Sequence, residues 1–184
     1  VITPDAFQPE NYNIGVTVGP HDYYRSNISL GSNWGKHAVL IYGNGASDGG
    51  YKDDSGFDQQ KLNVIHQYQS GNLSIKNVFA ATNLNQETAG FIRGFEAYKD
   101  NALKKSNPNP EAFRDSQTVR AYSQIQYQAA NDAIYTLSPY IRWADMTFLQ
   151  HFLPWQPVEE NDQKSIGLKA GIQKQMDNLT WFAG

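Results

Sequence analysis

The chain contains no cysteine, which excludes disulfides, thiolate metal sites and a cysteine nucleophile. It contains no run of about 18 apolar residues, so no segment reads as a transmembrane helix. Methionine is scarce at 2 residues and leucine is sparse for a helical protein, and apolar positions almost nowhere recur with helical spacing. Charge of one sign is not in excess. Fifteen Lys and Arg against 18 Asp and Glu give a net charge of −3 with no basic stripe, which argues against a nucleic-acid partner. The opening Val1-Ile2-Thr3-Pro4 lacks the charged and apolar regions of a signal peptide.

What is present is polar and aromatic. Tyr (11) outnumbers Trp (4), aromatics reach 13%, and Asn, Gln, Ser, Gly and Ala are plentiful. Such a mixture suits a β-protein with one wet face and one apolar face carrying aromatic bands. A soluble β-sandwich fits the composition equally well, and 184 residues suffice for one domain with a sizeable core.

Patterning separates the two. Two-residue alternation, the signature of a half-buried strand, recurs along the chain. It covers Asn11–Val18, Tyr23–Gly31, Lys61–Gln69, Leu73–Thr82, Thr118–Ala129, Ala133–Asp145 and Gln163–Gln175, and a ninth strand opens at Leu179. His37–Asn44 is apolar through its middle, so its facing is ambiguous. The clearest strand sets Val119, Ala121, Ile125 and Tyr127 against Arg120, Gln124, Gln126 and Gln128. Such runs exceed the soluble average of about 5–6 residues and match the 9–11 that a tilted strand needs to cross a bilayer. Pro139 falls inside one of them, where proline normally marks an edge or a bulge.

Connections alternate in length. Those after strands 2, 4, 6 and 8 are short: Ser32–Lys36, Ser70–Asn72, Ala130–Asp132 and Asp177-Asn178. Those after strands 3, 5 and 7 are long: Gly45–Gln60, Asn83–Gln117 and Met146–Asp162. Only Gly19–Asp22 breaks the rule. Short turns on one rim and long loops on the other describe an outer-membrane barrel. The expected fold is therefore all-β, an antiparallel up-and-down transmembrane β-barrel, present as a partial barrel of eight to nine strands. An odd count is unlike the even number that closes bacterial barrels, and the chain is expected to be a piece of a larger one with unpaired first and last strands. An eight-stranded barrel with a tail is the alternative.

Four segments then resemble the TonB-dependent outer-membrane receptors. Val1-Ile2-Thr3-Pro4 is similar to the last plug strand of that family, so residues 1–10 would be the plug end and linker and 11–184 the N-terminal barrel strands. Gly43–Gly56 resembles a third strand running into an extracellular loop, and Asn107–Asp115 and Phe148–Pro154 resemble loop sequences of some members. The resemblance implies import of a scarce nutrient such as a ferric siderophore or other metal chelate. Its implied partners are an extracellular small-molecule ligand, outer-membrane lipid and the periplasmic TonB energy-coupling protein acting through the plug. A small passive barrel or adhesin, or a soluble carbohydrate-binding β-sheet module, are the competing readings.

Chemistry-bearing residues are scattered. His21, His37, His66 and His151 lack metal-ligand spacing. The nearness of His151 to Asp145, Glu159 and Glu160 is better read as a solvated loop. Asp48, Asp53, Asp54 and Asp58 lack the EF-hand spacing, and Gly43-Asn44-Gly45 and Gly49-Gly50 precede no helix that could cradle a phosphate. Asn27-Ile28-Ser29, Asn72-Leu73-Ser74 and Asn178-Leu179-Thr180 match the glycosylation pattern but read as chance occurrences. No nucleophile–base pair stands out, so no enzyme activity, cofactor or metal is expected. Tyr12, Trp34, Tyr68, Tyr127, Tyr135, Trp143 and Trp181 sit near strand ends, where interfacial aromatic girdles form. Ligand contacts are expected on the long loops, with Phe91, Arg93, Arg114, His151 and Trp155 as candidates. The two arginines are suited to anionic groups of a chelate.

Overall fold

The computed structural model describes residues 4–7, 11–176 and 179–184. Nine antiparallel strands form one open sheet in chain order. They are β1 (Asn11–Val18), β2 (Tyr24–Trp34), β3 (His37–Asp48), β4 (Phe57–Ser70), β5 (Leu73–Glu87), β6 (Phe113–Gln128), β7 (Ala133–Leu149), β8 (Val158–Met176) and β9 (Leu179–Ala183). Among the described residues β1 pairs with β2 and β9 with β8, with no ladder from β1 to β8. Among the described residues the sheet is open, with β1 and β9 at its edges and no eight-stranded closure between β1 and β8. The plug-like Val1-Ile2-Thr3, the linker residues 8–10 and the turn Asp177-Asn178 lie outside the described residues.

Register explains why the alternation is so regular, since residues directly opposite one another share a face. One face carries Tyr12, Ile14, Val16 and Val18 of β1, paired with Leu30, Ile28, Ser26 and Tyr24 of β2. It continues through Ile41, Val64, Phe79, Ala121, Ile141 and Ile166 along six successive strands. None of the described residues covers it: Ile14 is 77% and Ile166 84% exposed. All seven strand-end aromatics share this face, six of them at the short-turn rim and Trp143 towards the loops. At the turn rim the His37 ring packs on those of Trp34 and Tyr68.

Few polar groups interrupt this face, and those that do satisfy one another. His37 Nδ1 lies 3.1 Å from His66 Nε2, His66 Nδ1 3.0 Å from Asn77 Nδ2, and Ser123 Oγ donates to Asn77 Oδ1 at 2.6 Å. The chain of bonds crosses β3 to β6, which lowers the cost of keeping polar atoms among apolar neighbours. Towards the long loops the same face turns polar, through Asp58, Asn85, Asp115, Thr147 and Glu160 in register.

The opposite face is polar over most of its area and yet holds the core. Ala38, Leu40, Ile65 and Val78 are buried there beneath Ala6, with Phe7, Tyr42 and Tyr122 packed around them. The segment 4–7 is held by its backbone: Ala6 N–H donates to Gln67 Oε1, and Lys76 Nζ donates to the Pro4 carbonyl at 2.8 Å. This settles the ambiguous third strand. In β3, Val39 and Ile41 join the apolar face while Ala38, Leu40 and Tyr42 lie under the segment 4–7. Both faces of that stretch call for apolar residues, so alternation vanishes.

Two expectations need correction. Most strands run longer than their apolar pattern, up to 19 residues in β8, because backbone pairing continues where side chains on both faces have become polar. The long loops shrink accordingly to 49–56, 88–112 and 150–157. Pro139 lies in an interior strand between β6 and β8 rather than at an edge. Its cost is visible as a gap in the β6–β7 ladder between the pairs Tyr122–Tyr140 and Ile125–Leu137, as expected for a residue without an N–H.

Candidate functional site

Binding groups concentrate where a rigid scaffold presents irregular chain, and here that is the rim of long loops. The first loop is a tight structure. Gly50 has φ +83° and donates its N–H to Asp48 Oδ1 at 2.7 Å, and a Cβ there would lie 2.7 Å from the Ser55 backbone carbon. Ser55 Oγ accepts from Lys52 N–H and donates to the Lys52 carbonyl, closing the turn. In the second loop two single 3-10 turns, Ala97–Lys99 and Leu103–Lys105, follow one another. Asp100 Oδ1 accepts the N–H groups of Ala102 and Leu103, both at 2.9 Å. Those bonds favour the ionised carboxylate and hold Asp100 below its usual range, the Leu103 bond contributing most.

The first two loops are sewn together. Lys52 Nζ donates to the Gly90 carbonyl at 2.7 Å, Asn107 Nδ2 to the Asp54 carbonyl at 2.8 Å, and Asp53 N–H to the Lys105 carbonyl at 2.8 Å. The third loop joins the second through Gln156 Nε2, which donates to Glu111 Oε1 at 2.7 Å. Glu111 is held below its ordinary value first by a bond from its own backbone N–H. Bonds from Gln156 and Asn109 and the nearby charge of His151 add to this.

Four of the five predicted contact residues fall into two groups. Phe91 and Arg93 lie on the second loop beside Gly90, with Phe91 90% exposed. His151 and Trp155 lie on the third loop, where Trp155 has φ +70° and is fully presented to the outside. His151 is partly buried edge-on against Phe152, and its Nδ1 has no hydrogen-bond partner among the described residues. Arg114 is not in a loop. It opens β6 on the polar face, its guanidinium 5.8 Å from the ring centre of Phe148. The Asp145–Glu159–Glu160 neighbourhood suggested for His151 does not gather around it. Glu159 instead accepts from Gln150, and the charge of His151 contributes to the lowering at Glu111.

No protein-family model and no curated protein matches the chain. The site's assignment rests on its geometry. Sequence reasoning missed Lys52, Asn107, Glu111 and Gln156, the residues that bind loop to loop. Only Asn107 carried a signal, as part of the repeated Asn-Pro of Asn107–Pro110, which favours turns.

Proposed function

We propose that this chain is a wall section of a bacterial outer-membrane β-barrel, and that the barrel is a TonB-dependent receptor importing a scarce nutrient such as a ferric siderophore or other metal chelate. The observation carrying the membrane reading is the uncovered apolar face shared by all nine strands. A water-soluble protein rarely leaves a contiguous apolar surface of that extent in solvent. The height of the band also fits. On β8 the apolar face reads Lys164, Ile166, Leu168, Ala170, Ile172, Lys174. Ten residues at about 3.4 Å span about 34 Å along the strand, and a tilt of roughly 45° projects this to about 24 Å, close to the apolar band of such barrels at about 25 Å. Lysines at both ends suit the two interfaces, where long cationic side chains reach the headgroups, and Lys164 Nζ lies 2.9 Å from Asp162 Oδ2 on the loop side.

The receptor reading adds the family resemblance of the sequence and the loop rim, with aromatic and cationic side chains on loops already fixed in place. Pre-ordered loops lower the entropic cost of capturing a dilute ligand. In cells making the protein within its native gene product, it should sediment with the outer membrane and leave only with detergent. Deleting residues 90–111 should abolish ferric-chelate binding to whole cells without lowering surface expression. Release by carbonate or salt alone would overturn the membrane reading. Unchanged chelate binding at normal surface expression would overturn the receptor reading and leave the barrel standing.

A further inference from the structure

We infer that the polar face carries a binding site for a small polyanion, a molecule bearing two or more carboxylate or phosphate groups, centred on Arg120 and Arg142. Charge is segregated between the faces of this sheet. The polar face holds Lys61, Arg120, Arg142 and Lys169 along its middle, with Arg25 nearer the loops and Lys76 nearer the turns; the carboxylates of its strands, Asp48 and Glu159, lie at the loop end, and Asp5 of the segment 4–7 accepts the Phe7 N–H. Arg120 and Arg142 are direct cross-strand partners. Like charges at such positions repel, and among the described residues no carboxylate pairs with either of them or with Lys169.

Register gives the site its shape. Below the arginine pair, Tyr122 of β6 faces Tyr140 of β7, and Lys169 of β8 faces Ser138. Opposite Tyr140 stands Gly167, whose absent side chain makes room for the ring: a Cβ there would lie 2.5 Å from Tyr140 Cζ. The two arginines, Lys169, Tyr122, Tyr140 and Gln124 line one open trough of about 690 Å³, with Tyr42 and Pro4 also on its lining. Lys169 sits four residues along β8 from Ser165, the partner of Arg142, about 13 Å by strand rise, a span two long cationic side chains can bridge around one ligand. Guanidinium groups bind carboxylate and phosphate in a bidentate fork, and the tyrosine hydroxyls and the Gln124 amide supply further donors. A single monoanion would leave one of the facing arginines uncompensated, which is why the ligand needs at least two anionic groups.

The site requires only that the polar face be open to solutes, so it does not depend on the receptor reading. Titration calorimetry of the whole chain in neutral detergent, with citrate and pyrophosphate as separate probes, tests it. Saturable binding of at least one probe is expected, and comparison of the two distinguishes carboxylate from phosphate preference. The double substitution Arg120→Gln/Arg142→Gln should weaken binding at least about tenfold. Arg25→Gln/Lys61→Gln, which removes the same charge from the same face, should change it less than about twofold. Arg120→Lys/Arg142→Lys serves where the glutamine variant does not keep its β-sheet circular dichroism, and should weaken binding by losing the fork while keeping the charge. Equal weakening by both double glutamine variants would show diffuse charge attraction and overturn the site. So would the absence of saturable binding, or binding of acidic peptides with neither small probe. Membrane partition of the same samples reports separately on the barrel reading.

Discussion

Leu168 separates a membrane wall from a soluble sheet more sharply than any other position. It is 62% exposed on the apolar face, one residue from the midpoint between Lys164 and Lys174. If water bathes that face, Leu168→Arg exchanges one exposed side chain for another, and stability should change by no more than about 0.5 kcal/mol. If lipid bathes it, the arginine sits near the bilayer midplane, where the cost is about 2–4 kcal/mol, roughly 30- to 800-fold in a partition equilibrium. Gln126→Arg, on the polar face of β6, controls for added charge. The assay is urea-dependent insertion of the intact barrel, this chain within its native gene product, into phosphatidylcholine vesicles, followed by tryptophan fluorescence, to which Trp34, Trp143 and Trp181 of the apolar face contribute. Leu168→Arg should insert at least about 30-fold less well than the parent chain, and Gln126→Arg within a few fold of it. Equal insertion of both variants would refute the assignment of the apolar face to lipid.

Three further outcomes follow from the packing. Gln67→Leu removes the acceptor of the Ala6 N–H and should destabilise the chain by about 1–3 kcal/mol in denaturant unfolding, because a buried donor is left unmatched. Gly167→Val drives a branched side chain into the Tyr140 ring. It should cost about 1–3 kcal/mol and displace the tyrosine resonances of the trough in NMR spectra, with those of Tyr12 unmoved. The folded-state pKa of Glu111 lies below its ordinary 4.5, so its contribution to the loop contact is complete above that value and is lost as pH falls through the folded value. Amide exchange in residues 150–157 should therefore accelerate on acidification below 4.5 in the parent chain and show no such step in Glu111→Gln.

Strand order, facing and the parity of the loops were legible because one physical variable, side-chain polarity at a period of two, encodes them. Val119 to Gln128 illustrates this: Val119, Ala121, Ile125 and Tyr127 share the apolar face and Arg120, Gln124, Gln126 and Gln128 the polar one, with Tyr122 and Ser123 as the exceptions. Boundaries were less legible. Asn83-Leu84-Asn85-Gln86-Glu87 reads as loop, yet it pairs with Phe113 to Gln117, because ladder hydrogen bonds are made by the backbone whatever the side chains. The segment 4–7 on the polar face was hidden for a different reason. Gln67 and Lys76 are ordinary polar-face residues until a distant backbone supplies their partners. The facing arginines were equally hidden, since each is unremarkable in its own strand and only register brings them opposite.

The stitching of the long loops has an evolutionary consequence. Lys52, Asn107 and Gln156 each reach across to a neighbouring loop, and residues sharing such a network do not vary independently. A substitution that reshapes 49–56 also shifts the support of Gly90, and with it the neighbourhood of Phe91 and Arg93. On the proposed receptor reading, changes of specificity on this rim come as correlated sets spread over separate loops. A single replacement at a contact residue would remodel more of the surface than its own side chain covers.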